Sequence, residues 1–231
     1  MRIQNLKTSQ YTNRDERNQF IAETFKTYIG ETVLNIGGGG KKHLAQYLPK
    51  ETNYFELDID GEPDLKINLE TELPIPVADN SYHTVVCTDV LEHLDSIYEI
   101  FGELARVADR HIIISLPNPV RDSLAYFFGT SVGKTGEQAL RLGARMKYYG
   151  LPLEKPVDRH RWFFSYHESV AFYKHQAQKH NLEISEQFYV ENTPNTFSKK
   201  LVIFFLKLVL GKKRSEDIFP SSSWVVFTKK S

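Results

Sequence analysis

The feature that most constrains the fold of this chain is a run of four glycines that directly follows a short apolar segment. Residues 33–40 read VLNIGGGG. Glycines at the turn after a strand permit tight backbone angles and let a ligand approach the main chain closely. An ordinary tight turn does not need four consecutive glycines, because each one raises the entropic cost of folding. The run therefore predicts a ligand-binding loop at the carboxyl end of a buried strand.

Strands and helices are predicted to alternate along the rest of the chain. The apolar patterns predict strands over residues 32–36, 53–57, 64–69, 83–88, 111–116, 183–190 and 224–229. They predict helices over residues 13–29, 41–48, 90–107, 165–180 and 197–210, with a capping box at Ser165 and Glu168 and a C-terminal cap at Gly211. This alternation is typical of an α/β fold, in which helices cover both faces of a mostly parallel sheet.

The spacing around the glycines narrows the class of ligand. A dinucleotide fingerprint, G-x-G-x-x-G, needs a third glycine where this chain has Lys42 or His43, so NAD is disfavoured. A second glycine segment, GTSVGKT at 129–135, is one residue too short for a phosphate-binding P-loop. Asp58 closes the second predicted strand, where a carboxylate can accept both hydroxyl hydrogen bonds of a ribose. A nucleoside-containing ligand other than a dinucleotide is therefore expected.

Composition excludes several other classes of function. The chain has 231 residues and zero formal net charge, so no general attraction to nucleic acid is expected. Its single cysteine rules out a disulfide framework within the chain, and its eight histidines lack the paired helical spacing of a zinc site. No metal is therefore predicted. No apolar run is long enough to span a membrane, and a cytoplasmic location is expected.

Four blocks of sequence, taken in order, carry a resemblance to a known family. They are VLNIGGGG at 33–40, ELDID at 56–60, LPIPVADNSYHTVVCTDVLEHL at 73–94 and IISLPNP at 113–119. The run resembles the class I S-adenosylmethionine-dependent methyltransferases of the small-molecule "type 11" sort. The resemblance implies a Rossmann-like, seven-stranded sheet with an antiparallel last strand and a small helical cap after the fifth strand. It implies one domain over 1–231, with a core at about 30–119 and 160–231 and a cap at about 120–160.

The resemblance also implies S-adenosyl-L-methionine as the cofactor and assigns residues to it. Its methionine end would lie along the glycine loop, its ribose on the acid after the second strand, and its adenine beside the following segments. The residues concerned are Asn35, Gly37, Gly39, Asp58, Ile59, Asn68, Leu69, Thr88, Asp89 and Val90. The family usually has an acid where Asn35, Asn68 and His83 stand. An asparagine keeps an acceptor oxygen but loses the charge that attracts the ammonium of the cofactor.

Two segments offer residues for the methyl acceptor. Methyl transfer mainly requires alignment of donor and acceptor, and a hydroxyl acceptor must also lose its proton. Candidate catalytic residues are His93, next to Glu92, together with Asp158 and His160 in the run DRHRW at 158–162. Candidate substrate-binding residues are Arg159, Arg161, Trp162, Tyr126 and Tyr148. The DRHRW stretch resembles methyltransferases associated with bacterial surface glycans, which favours O-methylation of a sugar, a glycan or another small acceptor.

Alternatives remain open at the level of sequence. An N- or C-methyltransferase of a small metabolite would need no strong base, and a non-catalytic binding module would account for the three missing acids. A nucleic-acid acceptor is not expected, because the chain lacks an N/D-P-P-[YF] tetrad. Helix 197–210 is apolar nearly all round, which indicates burial in the core or a homodimer, or contact with a membrane surface.

Overall fold

The computed structural model describes residues 7–8, 11, 13–118, 120, 160–162, 164–191 and 197–230. The cap predicted over 120–160 falls almost entirely outside these ranges. Four predicted site residues therefore lie outside the described part of the chain, namely Tyr126, Tyr148, Asp158 and Arg159.

Within the described residues, eight strands form a single sheet. They are β1 (Lys7–Thr8), β2 (Thr32–Ile36), β3 (Asn53–Asp58), β4 (Leu65–Lys66), β5 (Tyr82–Thr88), β6 (Ala108–Pro117), β7 (Leu182–Glu191) and β8 (Ser222–Lys229). Their spatial order is β1-β7-β8-β6-β5-β2-β3-β4. Strand β8 runs antiparallel to both β6 and β7, and the other neighbouring pairs are parallel. Apart from the two-residue edge strand β1, this is the predicted seven-stranded sheet with an antiparallel last strand.

Four helices accompany the sheet in the described ranges. They are α1 (Arg14–Thr24), α2 (Ile97–Val107), α3 (Tyr166–Lys179) and α4 (Phe197–Ile218), with two 3₁₀ turns at Leu44–Tyr47 and Leu91–His93. The Asn13 side chain accepts a hydrogen bond from the Glu16 amide at 2.9 Å and so begins α1. The predicted capping box of Ser165 and Glu168 is confirmed at the start of α3.

Several predicted elements differ from the observed ones. The helix predicted over 41–48 is wrong, because only the 3₁₀ turn Leu44–Tyr47 forms there. Helix α1 ends at Thr24 rather than at residue 29, because tight turns follow Phe25. The single helix predicted over 90–107 is wrong: the backbone of Leu94 is extended (φ −107°, ψ 125°) and separates the 3₁₀ turn Leu91–His93 from α2. The third strand shrinks to β4 because the Asn68 side chain accepts a hydrogen bond from the Glu70 amide at 3.0 Å and turns the chain.

Both faces of the sheet are covered, which explains why its strands are nearly continuous apolar runs. On one face, Ile21 and Phe25 at the end of α1 join one apolar cluster with Val33, Val86, Ile113 and Trp224. On the other face, Ile100 and Leu104 of α2 join a second cluster with Leu34, Val85, Ile112 and Phe227. Since alternate residues of a strand point to opposite faces, Asn35 lies on the same face of β2 as Val33.

The order of the strands fixes where a ligand can bind. Strand β2 lies between β3 and β5, and all three are parallel. From β2 the chain continues outward to β3 and β4, and it then returns to β5 on the other side. Ligands of open α/β sheets bind at the carboxyl edge beside such a reversal of strand order. The glycine loop, Asp58 and the segment after Thr88 all lie at that edge.

Helix α4 has an unusual distribution of side chains. Gly211, the predicted cap, has a φ of 73° and separates two helical segments. Lys207 faces the protein, where its ammonium contacts both carboxylate oxygens of Glu191 at 2.7 Å. Seven large apolar side chains are instead 45–83% exposed: Leu201, Val202, Phe204, Phe205, Leu206, Leu208 and Val209. The first expectation was burial in the core or in a homodimer; burial in the core is therefore wrong, and the homodimer stays a prediction.

The carboxyl edge of β6 is tied to the end of the chain. The Asn118 amide donates to the Ser221 carbonyl at 2.9 Å, and the Asn118 side chain donates to the Asp217 carbonyl at 2.8 Å. These two bonds fix the chain where it leaves the sheet after β6.

Candidate functional site

The glycine loop is held against the segment that follows β5. Gly37 has a φ of 77°, and its amide donates to the Leu57 carbonyl at 2.9 Å. A Cβ at Gly37 would lie 2.1 Å from Cγ2 of Val90. Both the left-handed backbone and this close approach exclude any other residue. The loop and Val90, two of the predicted cofactor elements, are therefore in direct contact.

Asp58 joins the end of β3 to the glycine loop. Its Oδ2 accepts a hydrogen bond from the Gly39 amide at 2.6 Å, and its Oδ1 accepts one from the Asp60 amide at 3.0 Å. An ionised carboxylate offers about four acceptor positions, so two bonds leave capacity for ribose hydroxyls. The next residue, Ile59, is 58% exposed, which leaves an apolar surface beside Asp58 that a flat adenine ring could cover.

A fully buried carboxylate lies beneath the loop, at a place where the sequence analysis assigned no role. Glu56 is the register partner of Asn35. Tyr54 joins the two side chains: its hydroxyl accepts from Nδ2 of Asn35 at 2.8 Å and donates to Oε2 of Glu56 at 2.5 Å. Burial, followed by the hydrogen bond to Glu56, raises the pKa of the Tyr54 hydroxyl, which therefore remains a donor. The other oxygen of Glu56, Oε1, is buried and has no hydrogen-bond partner among the described residues.

The buried Glu56 fits a cationic ligand. A Cβ at Gly38 would lie 2.3 Å from its Oε2, so the carboxylate lies directly under the loop. Burying a charge is costly unless an opposite charge or hydrogen bonds compensate it. The sulfonium and ammonium of S-adenosylmethionine are such charges. The resembled family usually has an acid at position 35 of β2. This chain has Asn35 there, and an acid, Glu56, at the paired position of β3.

Helix α1 contributes two arginines to this edge, which the sequence analysis also missed. Arg17 forms a salt bridge with Asp89, whose Oδ1 accepts a hydrogen bond from the Ser115 hydroxyl at 2.7 Å. The Arg14 guanidinium occupies the space where a Cβ of Gly39 would project. The sequence could have indicated this pair, because Arg14 and Arg17 are three residues apart and therefore share one face of a helix. The cationic side chains are suited to the carboxylate end of an amino acid.

Two predicted adenine contacts play structural roles. Leu69 is 6% exposed and belongs to the core cluster on the α2 face. The Asn68 amide donates to Oε2 of Glu72 at 2.6 Å, and the Asn68 side chain shapes the turn after β4.

The two predicted acceptor segments meet at one point. The amides of Arg161 and Trp162 donate to the Glu92 carbonyl at 2.7 and 3.4 Å, and the Trp162 indole donates to the Leu94 carbonyl at 2.7 Å. His93 and His160, both predicted catalytic residues, thereby pack with their ring centroids 4.4 Å apart. Trp162 packs against the core, and Arg161 forms an ion pair with Asp95.

Glu92 completes this group of side chains. Its Oε1 lies 3.5 Å from Nε2 of His93 and 4.0 Å from Nε2 of His160. Glu92 is 1% exposed and His160 is 8% exposed. Because the His93 amide also donates to the Val90 carbonyl at 3.0 Å, the three side chains lie next to the residue that contacts the glycine loop. We call Glu92, His93 and His160 the EHH cluster.

No family model matches the sequence, and no curated protein matches it either. Many solved structures are nevertheless similar to it. An S-adenosylmethionine-dependent methyltransferase from Archaeoglobus fulgidus is 15% identical, with a TM-score of 0.56, covering 94% of this chain and 95% of that one. One from Mesorhizobium loti is 12% identical, with a TM-score of 0.50 and coverages of 90% and 97%.

A third similar structure, the small RNA methyltransferase HEN1, is 11% identical with a TM-score of 0.59. The alignment covers 97% of this chain and 26% of that much longer one. The chain therefore shares the fold of these S-adenosylmethionine-dependent methyltransferases. Because HEN1 acts on RNA, the shared fold does not support the expected exclusion of nucleic acid. Among the described residues, no helix is both long and apolar enough to cross a membrane.

Proposed function

We propose that this protein transfers the methyl group of S-adenosylmethionine to a hydroxyl of a sugar, a glycan or another small acceptor in the cytoplasm. The observation that carries the proposal is the hydrogen bond from the Gly39 amide to Asp58, with the EHH cluster close by. The fold provides an edge for the proposed cofactor, and the imidazoles of His93 and His160 provide polar groups beside it that cofactor binding alone does not require.

Different residues at this edge bind different parts of the proposed cofactor. The cofactor supplies an electrophilic methyl group on a positively charged sulfur. The loop backbone and Asp58 bind and orient its nucleoside, while Glu56 lies beneath its cationic end and the α1 arginines attract its carboxylate. Precise alignment of the reacting atoms contributes most of the acceleration in such a displacement.

The EHH cluster supports a hydroxyl acceptor. A hydroxyl must lose its proton as the new O–C bond forms, whereas an amine needs no strong base. We assign this proton removal to His93 and His160, with Asp158 assisting, and we assign acceptor binding to Arg159, Arg161, Trp162, Tyr126 and Tyr148. The zero net charge of the chain supports a small or glycan acceptor over RNA. A glycan acceptor would place the enzyme in polysaccharide biosynthesis.

Helix α4 supports contact with an anionic membrane surface. Its outward side is apolar, and exposed Lys200, Lys212, Lys213 and Arg214 flank that side. Apolar side chains bordered by cations are typical of helices that lie on anionic membranes. Such a contact would bring the enzyme to a lipid-linked glycan. A homodimer through α4 is the alternative occupant of this surface.

Calorimetric titration with S-adenosylmethionine tests the enzyme proposal. We expect micromolar binding that Asp58→Ala abolishes, while the neighbouring Asp60→Ala, a change at an exposed turn residue, preserves it. Absence of binding by the folded wild-type protein would overturn the proposal and favour a non-catalytic binding module. Transfer of radioactive methyl groups to free sugars, nucleotide sugars, small amines and small RNA then identifies the acceptor class. Labelling of only RNA or only amines would contradict the hydroxyl acceptor.

A further inference from the structure

The EHH cluster has the composition and spacing of a metal site. Glu92, His93 and His160 each offer one ligand atom, and these atoms all lie within 4.8 Å of one another. No metal was predicted from the sequence because the histidines lack helical spacing, and His160 comes from a segment distant from His93.

The separations between the atoms are those of ligands around an ion. A direct charge-assisted hydrogen bond between an imidazole and a carboxylate is about 2.7–2.9 Å long. The distances from Oε1 of Glu92 to the two Nε2 atoms are longer, at 3.5 and 4.0 Å. Two ligands that each lie about 2.0–2.1 Å from a metal are separated by about 3–4 Å. The cluster therefore needs only a small contraction to surround one cation.

The chemistry of the ligands selects the kind of cation. Two imidazole nitrogens and one carboxylate oxygen suit divalent transition metals such as zinc, iron, cobalt and manganese. Three protein ligands leave coordination positions open for water or for an acceptor oxygen. Glu92 is 1% exposed, so a cation held here would contact a carboxylate that is shielded from solvent.

The main chain holds the ligands in place from both sides. The carbonyl of Glu92 accepts hydrogen bonds from the amides of Arg161 and Trp162, so the residues on either side of the cluster are fixed to each other. The indole of Trp162 donates to the Leu94 carbonyl at 2.7 Å. Ligands that are positioned before the metal binds lose little conformational entropy on coordination.

The geometry points to a divalent transition-metal site at Glu92, His93 and His160 that binds the hydroxyl of the methyl acceptor. The role in methyl transfer rests on the proposed function, whereas metal binding itself does not. In the metal-bound protein, His93 and His160 act as ligands, and the cation replaces them in promoting loss of the hydroxyl proton. A cation lowers the pKa of a hydroxyl that it coordinates. The proton then leaves to solvent water, and the alkoxide oxygen takes the methyl group while the electron pair of the broken S–C bond returns to sulfur.

Titration of the chelator-treated protein with cobalt(II) chloride, without cofactor, tests the site. We expect one equivalent to bind, with visible absorption bands of low-coordinate cobalt that excess chelator reverses. Glu92→Gln and His160→Asn should weaken binding at least ~10-fold, since even changes beyond the first ligands cost about that much. His175→Asn, a change at an exposed histidine on α3, should not affect it.

Two results would overturn the site: no cobalt binding by the folded wild-type protein, or equal binding by all three variants. The reversible titration of the wild-type protein remains decisive if a variant fails to fold. Titration of the same samples with S-adenosylmethionine separates the two proposals. If the wild-type protein bound S-adenosylmethionine but no cobalt, the metal site would be overturned and the proposed cofactor site would not be contradicted.

Discussion

Asn35 and Glu56 are register partners on neighbouring parallel strands, and the hydroxyl of Tyr54 joins their side chains. The amide stands where the resembled family usually has an acid, and the carboxylate stands one strand away. Neighbouring strands are about 4.8 Å apart, so the negative charge remains within reach of the same loop. Although position 35 carries no acid, Glu56 therefore places a carboxylate beside the same glycine loop.

Glu56→Gln should weaken the binding of S-adenosylmethionine by about 10- to 100-fold, because a hydrogen bond to a charged group contributes about 1.5–3 kcal/mol. Binding of 5′-methylthioadenosine, which lacks the amino-acid end, should not change. Calorimetric titration with both ligands measures the difference. The double variant Asn35→Asp with Glu56→Gln should recover most of the affinity. Equal loss for both ligands would instead show that Glu56 only supports the fold.

Gly37→Ala should lower the free energy of unfolding by about 2–5 kcal/mol. A left-handed backbone costs an alanine about 1–2 kcal/mol, and overpacking against Val90 adds about 1–3 kcal/mol. Gly211→Ala is the control for a positive φ without a close contact, because Gly211 (φ 73°, ψ 169°) has open space around its Cβ position. It should cost only the backbone strain of that conformation, about 1–3 kcal/mol, in urea denaturation. A Gly37→Ala variant no less stable than Gly211→Ala would contradict the close contact with Val90.

Glu103→Gln should reduce stability at neutral pH by about 1–2 kcal/mol and should reduce it much less in acid. Hydrogen bonds from Arg106 hold the pKa of the Glu103 carboxyl below its ordinary value, against the opposing effect of burial. A carboxyl with a lowered folded-state pKa stabilises the protein above its unfolded-state pKa of about 4.3. This contribution is lost as the pH falls through the folded-state pKa.

The measurement is urea denaturation of wild type and Glu103→Gln at pH 7 and then stepwise below pH 4. Arg106 also donates to the carbonyls of Ile75 and Val77, so the pair fixes the segment that leads into β5. Glu99→Gln, a change at an exposed position of the same helix, should leave the pH profile unchanged. A stability difference for Glu103→Gln that stays constant with pH would refute the ionic origin.

Replacing Phe204 and Phe205 by serine should abolish co-flotation with phosphatidylglycerol vesicles. Both side chains are more than half exposed, and burial of each in lipid contributes about 1.5–3 kcal/mol. Tyr98→Ser, which removes an exposed aromatic ring from α2, should leave co-flotation intact. Absence of vesicle binding by the wild-type protein, with sedimentation as a dimer that the double variant dissociates, would assign α4 to self-association.

The sequence predicted the sheet well because buried parallel strands leave continuous apolar runs such as 83–88, which patterns detect directly. It predicted the glycine loop and Asp58 because both adjoin strand ends. It could not reveal Glu56, since an acid within a strand usually indicates a solvent-facing position. It also could not predict the exposure of α4, because an apolar pattern does not identify what covers it.

The EHH cluster illustrates a further limit of sequence patterns. His93 and His160 were each predicted as catalytic candidates, but their meeting depends on hydrogen bonds from residues 161 and 162 to the Glu92 carbonyl. Contacts between segments so distant in the chain follow from tertiary structure. The break at Leu94, which separates the turn that carries Glu92 from α2, was also missed, since apolar periodicity continued across it.

The hydrogen bonds of Asn118 and of the Arg161 amide fix the chain at two points, one on each side of residues 121–159. The first point lies where the chain leaves β6, and the second lies beside the cofactor edge. Whatever sequence joins these two points, the sheet and the glycine loop keep their own contacts. We therefore expect exchange of residues 121–159 to change the acceptor of the proposed reaction while the glycine loop and Asp58 keep their contacts.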